Sequence, residues 1–139
     1  MRMLAAREHS RFELARKLRQ RGHPAPAIDE VLDALVERDL LSEARYVEVY
    51  LQQRIRKGYG PLRLRAELAE RGIGGGLVDD ALADLAPDWQ LLVAEAAERK
   101  FGDSPPDDYP DAARRGRFLQ QRGFPVGMVR RYLATFDAP

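Results

Sequence analysis

Residues 64–72 read LRAELAERG. The same frame recurs as LARKLRQRG at 14–22 and as RGRFLQQRG at 115–123. The closing glycines, Gly22, Gly72 and Gly123, stand 50 and 51 positions apart. Four residues before each Gly lies Leu18, Leu68 or Leu119. Eight before lies Leu14, Leu64 and then Arg115, which breaks the pattern. Six after lies Ile28, Val78 or Val129, ten after lies Leu32, Leu82 or Leu133, and thirteen after lies Leu35, Leu85 or Phe136. With Arg21, Arg71 or Arg122 directly before the Gly, the frame is kept at six of its seven positions in three copies and is an internal repeat.

Each copy has a physical logic. Apolar residues four apart face one side of a helix. A glycine just beyond can take the left-handed conformation that ends a helix at no steric cost. Pro24 or Pro26, and Pro125, then open the next helix, where a missing N–H does no harm, and Gly74-Gly75-Gly76 serve the same turn in the second copy. The helix that follows carries a core stripe: Ile28, Val31, Leu32, Leu35 and Val36; then Leu77, Val78, Ala81, Leu82 and Leu85; then Val129, Tyr132, Leu133 and Phe136. A third helix precedes each pair. Residues 43–57 line up Ala44, Val47, Leu51 and Ile55, with Tyr46 and Tyr50 beside them, between Ser42 as N-cap and Gly58 as terminator. Residues 88–101 line up Trp89, Leu92, Val93, Ala96 and Ala97 behind Asp88. The first such helix, Met1 to His9, is short, so the natural chain is expected to begin further upstream. Ser10-x-x-Glu13 reads as a capping box for the next helix. Residues 102–110, GDSPPDDYP, form a loop expected to be mobile.

Composition agrees. There are 19 Ala and 18 Leu against 8 Val, 3 Ile and 1 Thr, which favours helix over strand. The expected fold is all-α: three tandem three-helix repeats of about 50 residues in an elongated or curved array. The expected units are 1–38, 39–86 and 87–139. The absence of cysteine excludes disulfides and cysteine-ligated zinc and fits a reducing compartment, so the expected location is the cytoplasm. No apolar run approaches the ~20 residues of a membrane span, and the N-terminus lacks the apolar region of a signal peptide.

Net charge is only +1, but it is blocked along the chain. Residues 1–24 hold seven Lys/Arg against two acids, 54–71 six against two, and 114–131 six against none. Seven acids fall in 25–53 and ten in 72–113. Of the 23 basic residues 20 are Arg, which suits bidentate recognition of phosphate or carboxylate as well as it suits a GC-rich genome. The densest string is RIRKGYGPLRLR, 54–65, with five basic residues around Tyr59. It reads either as a polyanion or acidic-protein contact or as a solvated helix end, with Lys57 near the negative helix terminus. Arg16, Lys17, Arg19 and Arg21 occupy the matching helix of the first copy, and Arg114, Arg115, Arg117 and Arg122 that of the third.

Catalytic patterns are missing. His9 and His23 have no metal-ligand spacing, and Ser10, Ser42 and Ser104 lie in no nucleophile motif. Gly58-x-Gly60 and Gly74-Gly75-Gly76 follow no strand, so neither reads as a phosphate-cradling loop. Asp79-Asp80 and Asp107-Asp108 lack the spacing of a calcium loop. The expected protein is not an enzyme, with no cofactor and no metal.

Four strings resemble the RecX family of bacterial regulatory proteins: REHSRFELARKLRQRG (7–22), VLDALVERDLLSEARYVEVY (31–50), RIRKGYGPLRLRAELAERG (54–72) and RFLQQRGFPVGMVRRYL (117–133). The shortened N-terminus is the main departure. The resemblance implies tandem three-helix repeats. It also implies binding to the RecA recombinase and its nucleoprotein filament, with inhibition of extension, ATP hydrolysis and strand exchange in recombination, DNA repair and the SOS response. From charge and this motif together, the expected contact residues are Arg16, Lys17, Arg21, Arg54, Arg56, Lys57, Tyr59, Arg63, Arg65, Arg71, Arg114, Arg115, Arg117 and Arg122. Single- or double-stranded DNA is a further candidate partner, a membrane is not, and a monomer is expected. The rival reading is a stand-alone helical DNA-binding or architectural protein. Against it stand the small net charge and the acids Asp79, Asp80 and Asp84 on the last helix of the second copy. A purely helical protein adaptor is a third class.

Overall fold

The structure is a computed structural model that describes residues 10–37 and 42–136. The expected helix over Met1–His9 lies outside the described residues. Eight helices and no strand occur among the described residues: α1 Arg11–Gln20, α2 Ala25–Glu37, α3 Glu43–Arg56, α4 Pro61–Glu70, α5 Gly75–Leu85, α6 Trp89–Phe101, α7 Tyr109–Gln121 and α8 Val126–Ala134.

The starts follow local chemistry. Ser10 Oγ accepts from Glu13 N at 3.0 Å, Ser42 Oγ from Arg45 N at 3.2 Å, and Asp88 Oδ1 from Leu91 N at 3.2 Å. Each satisfies a backbone donor that the helix itself cannot. Pro125 sits at the cap position of α8, its carbonyl accepting from Val129 N at 3.2 Å. Gly75 and Gly76 belong to α5 itself, so only Gly74 of the expected glycine turn stays outside the helix.

The ends repeat one device. Gly22, Gly58, Gly72 and Gly123 all have positive φ, between +77° and +99°. At each, the glycine N–H bonds the carbonyl three residues back, and the next N–H bonds the carbonyl five back: His23 to Leu18, Tyr59 to Arg54, Ile73 to Leu68, Phe124 to Leu119. This is the Schellman turn, whose two outer residues normally make an apolar contact. Leu68 with Ile73 and Leu119 with Phe124 are such pairs, all four buried. Arg54 with Tyr59 is not.

The chain forms two compact units, residues 1–51 with 67–84 and residues 52–66 with 85–139. In the first, α1 packs on α2 around Leu14, Ile28, Leu32 and Leu35. The same unit holds a polar network. Glu13, one end of the expected capping box, is only 6% exposed. The Tyr46 phenol hydrogen-bonds its carboxylate, and Arg71 Nε lies 3.8 Å from it. Arg71 also donates to the Glu67 carbonyl at 3.2 Å and stands 4.7 Å from the Tyr50 ring centre, while Tyr50 Oη donates to Glu67 Oε1 at 2.9 Å.

Burial, the hydrogen bond to Glu13 and that carboxylate's charge hold the Tyr46 phenol above the ordinary tyrosine range, against an opposing pull from Arg71. The folded state therefore favours the neutral phenol. Its stabilising share is fully present below the unfolded value near ~10 and is lost as pH rises beyond it. The expected result is a steep alkaline loss of stability, shallower in Tyr46→Phe. Denaturant unfolding across that pH range checks it, and equal slopes would count against it.

In the second unit α6, α7 and α8 pack pairwise around Val93, Ala97, Leu119, Phe124, Val129 and Tyr132. Aromatic edges close this core: Trp89 on Phe124, Phe101 on Phe118 and Tyr132 on Phe136, with centroids 5.2–6.4 Å apart. The 102–108 loop is tied down. Asp111 Oδ2 accepts from Asp107 N at 3.0 Å, Asp108 caps α7 by accepting from Asp111 N at 2.9 Å, and Arg115 donates to the Ser104 carbonyl at 2.9 Å.

Candidate polyanion-binding site

Within the second unit, the end of α3 and the start of α4 meet the turn after α7. Gly60 N donates to the Arg122 carbonyl at 2.8 Å, and Leu62 N donates to that of Gly123 at 3.0 Å. No side chain fits between the two turns at this contact. A Cβ on Gly60 would stand 2.6 Å from the Gly123 carbonyl carbon, and one on Gly123 would stand 2.6 Å from Arg63 N. The contact carries Tyr59, Arg63 and Arg122 into one place.

Tyr59 is half-buried and heavily attended. The guanidinium carbons of Arg54, Arg63 and Arg122 lie 3.8, 4.5 and 4.6 Å from its ring centre. The Arg54 contact takes the place of the apolar pair in the Schellman turn, so the helix stop itself seats a cation on the ring. Arg63 also donates to the Gln121 carbonyl at 3.3 Å. Arg122 reaches on to Phe118, 5.2 Å away, where Lys100 approaches from the other helix at 5.7 Å.

Beside these rings lies a cleft of about 130 Å³, lined by Lys57, Gly58, Ala96, Arg99, Lys100, Phe118 and Arg122. Arg99 is held there by donating to the Arg56 carbonyl at 3.1 Å. No carboxylate lines the cleft. Its potential is positive, and its walls are partly apolar, which strengthens attraction to an anion.

Arg16, Arg21, Arg56, Arg65 and Arg117 are exposed, and Lys17 is half-buried. The three arginines before the turn glycines do three different things: Arg21 is exposed, Arg71 joins the Glu13–Tyr50 network, and Arg122 stands over Tyr59. Arg114 is exposed and pairs with Asp111 at 2.7 Å. The Asp107 N–H and the Arg114 guanidinium hold the Asp111 carboxyl below the usual carboxylate range. Arg115 is a correction. It is 4% exposed, so it is no surface contact. It occupies the core position that Leu14 and Leu64 fill in the other copies, and it spends its hydrogen bonds inside the fold.

Arg99, Lys100 and Phe118 were missed. Arg99 and Lys100 sit within the stretch 72–113 that its ten acids mark as negative. Their position in the last turn of a helix was the available signal.

Known proteins extend this picture. Family models for the first, second and third three-helix domains of RecX match residues 1–35, 42–82 and 92–133. A Regulatory protein RecX from Pseudomonas savastanoi pv. phaseolicola is 49% identical over 134 residues, 96% of this chain and 86% of the relative. Another, from Halorhodospira halophila, is 43% identical over 137 residues, 99% and 85% of the two chains. The crystal structure of RecX from Lactobacillus salivarius is similar with a TM-score of 0.80 at 23% identity, over 98% of this chain and 90% of that one, a likeness of fold alone. With three consecutive domain matches and relatives of this identity along nearly its whole length, the chain belongs to the RecX family of regulatory proteins.

Proposed function

We propose that this chain binds the RecA recombinase and its nucleoprotein filament, and restrains filament extension, ATP hydrolysis and strand exchange. It would thereby modulate recombination and DNA repair, in the cytoplasm and as a monomer built of repeats 1–38, 39–86 and 87–139. Membership of the RecX family carries the reading, and its relatives are named as regulatory proteins. The cation cluster around Tyr59 supplies a surface for an acidic protein face, DNA phosphates, or both. The action is binding, not chemistry. Among the described residues no helix is long and apolar enough to cross a membrane.

The test is RecA ATPase on single-stranded DNA, with this protein added before and after filament assembly. Inhibition far below the recombinase concentration supports regulation through filament ends. Inhibition only near equal amounts supports binding along the filament. No effect in either order, with the protein folded, moves the reading to a stand-alone DNA-binding protein. Replacing Arg54, Arg56 and Lys57 together by Ala is expected to weaken filament binding about tenfold or more and to make binding less salt-sensitive. Unchanged binding by the folded variant removes this patch from the contact surface.

A further inference from the structure

An aromatic ring among arginines suggests a platform on which nucleobases stack. The geometry around Tyr59 points elsewhere. A phenol ring has two faces, and three guanidinium groups already stand within 3.8–4.6 Å of its centre. A base would have to displace one of them. Phe118 likewise has Arg122 and Lys100 over it. The rings hold cations, and the cations of Lys57, Arg99, Lys100 and Arg122 converge on the cleft.

The cleft's size selects among anions. At about 130 Å³ it is well below the roughly 300–1,000 Å³ of sites that enclose whole small molecules. It suits one tetrahedral phosphate group, whose several oxygens can be shared among several donors. A recess also favours a backbone flexible enough to turn a phosphate inward, which a single strand does more easily than a rigid duplex.

We infer that this cleft binds one phosphodiester group of a single-stranded nucleic acid, with Tyr59 and Phe118 as positioning residues for the cations and with no reading of the bases. The inference rests on the reading of this cluster as the contact surface and gives that surface a ligand chemistry. Arg122 couples the two parts, touching Tyr59 on one side and lining the cleft on the other.

The test is fluorescence anisotropy with the full chain and three oligonucleotides of one length: oligo(dT), its abasic counterpart and its uncharged methylphosphonate counterpart. The expected affinity for the abasic strand lies within about threefold of oligo(dT), and the methylphosphonate strand loses about tenfold or more. Lys100→Ala, at an exposed site, is expected to lower affinity about fivefold and the logarithmic salt slope by about 0.7. Tyr59→Phe should bind as the parent does, because the ring face is kept; Tyr59→Leu should lose about threefold or more. The inference is overturned if the abasic strand loses tenfold, if Lys100→Ala changes neither affinity nor slope, if duplex binds more tightly, or if poly-glutamate binds equally well.

RecA inhibition, measured alongside, separates this inference from the regulatory reading. A parent protein that inhibits RecA but binds no oligonucleotide overturns the phosphate site alone. Phosphate-dependent binding without inhibition supports the site and overturns the regulatory reading alone.

Discussion

Gly123→Ala is expected to destabilise the protein by about 2–5 kcal/mol, through a left-handed backbone and a steric clash together. The backbone at Gly123 has φ +99°, which an alanine adopts only with strain. The added Cβ would also stand 2.4 Å from Arg63 Cβ and 2.6 Å from Arg63 N. Backbone cannot rotate away as a side chain can, so the two turns must separate. Their separation breaks the bonds from Gly60 N and Leu62 N to the Arg122 and Gly123 carbonyls. At this chain length the loss corresponds to a melting point lower by roughly 10 °C. Gly22→Ala is the control: its φ is +88° but no atom lies within 4 Å of the new Cβ, so only the strain of about 1–2 kcal/mol applies. Denaturant unfolding followed by Trp89 fluorescence, within the affected unit, measures the first. Circular dichroism measures both. Equal losses in the two variants would mean that the close approach contributes nothing.

Arg115→Ala is expected to cost about 2–4 kcal/mol, as the removal of a buried charge with its hydrogen bonds does. The side chain donates to the Ser104 carbonyl at 2.9 Å and to Tyr132 Oη at 3.4 Å. It lies 3.5 Å from Asp111 Oδ2 and 5.3 Å from the Phe101 ring centre. Truncation leaves a cavity in the α6–α8 core and releases the 102–108 loop. Arg115→Met refills the volume without the charge and should recover about half of the loss. Faster hydrogen exchange at Asp107 N–H is the local signature in Arg115→Ala. Filament and oligonucleotide binding should survive in either variant, since the side chain faces inward. A stability change under about 0.5 kcal/mol, the range of ordinary surface substitutions, would remove Arg115 from the supports of the core.

The contrast between these two residues shows what a sequence can carry. The turn glycines and the caps Ser10, Ser42 and Asp88 are local facts, each settled within a few residues, and the structure has them where the sequence puts them. Of the expected stripes Ile28, Leu32, Leu35, Val78, Leu82, Val129 and Tyr132 are buried, whereas Val31, Val36 and Leu77 at the stripe edges are exposed, because each helix buries a narrower face than its apolar residues span. Arg115 was legible too, as the one break in the frame: a charge at a core position is a buried charge. Its place within a basic block masks that meaning. Glu13 has the local signature of a cap partner, while its burial against Tyr46 and Arg71 depends on residues far along the chain. The convergence of Lys57, Arg99, Lys100 and Arg122 has no local sign, because it depends on which helices pack together. Charge averaged over long windows even assigned Arg99 and Lys100 the wrong sign of neighbourhood.

The approach of Gly60 to Gly123 also sets an order of events during synthesis. Arg54 reaches Tyr59 through a turn that closes within six residues, so that half of the cluster can form as soon as it leaves the ribosome. The Arg63–Gln121 bond joins residues 58 positions apart, and Arg122 arrives only with it. Contacts of such separation form late in folding, after the loop-closure entropy between them has been met. A nascent or truncated chain lacking the α7 turn therefore carries the arginines without the cleft. Binding at the proposed phosphate site is therefore expected only once the last helices dock, which would make it a report on completed folding.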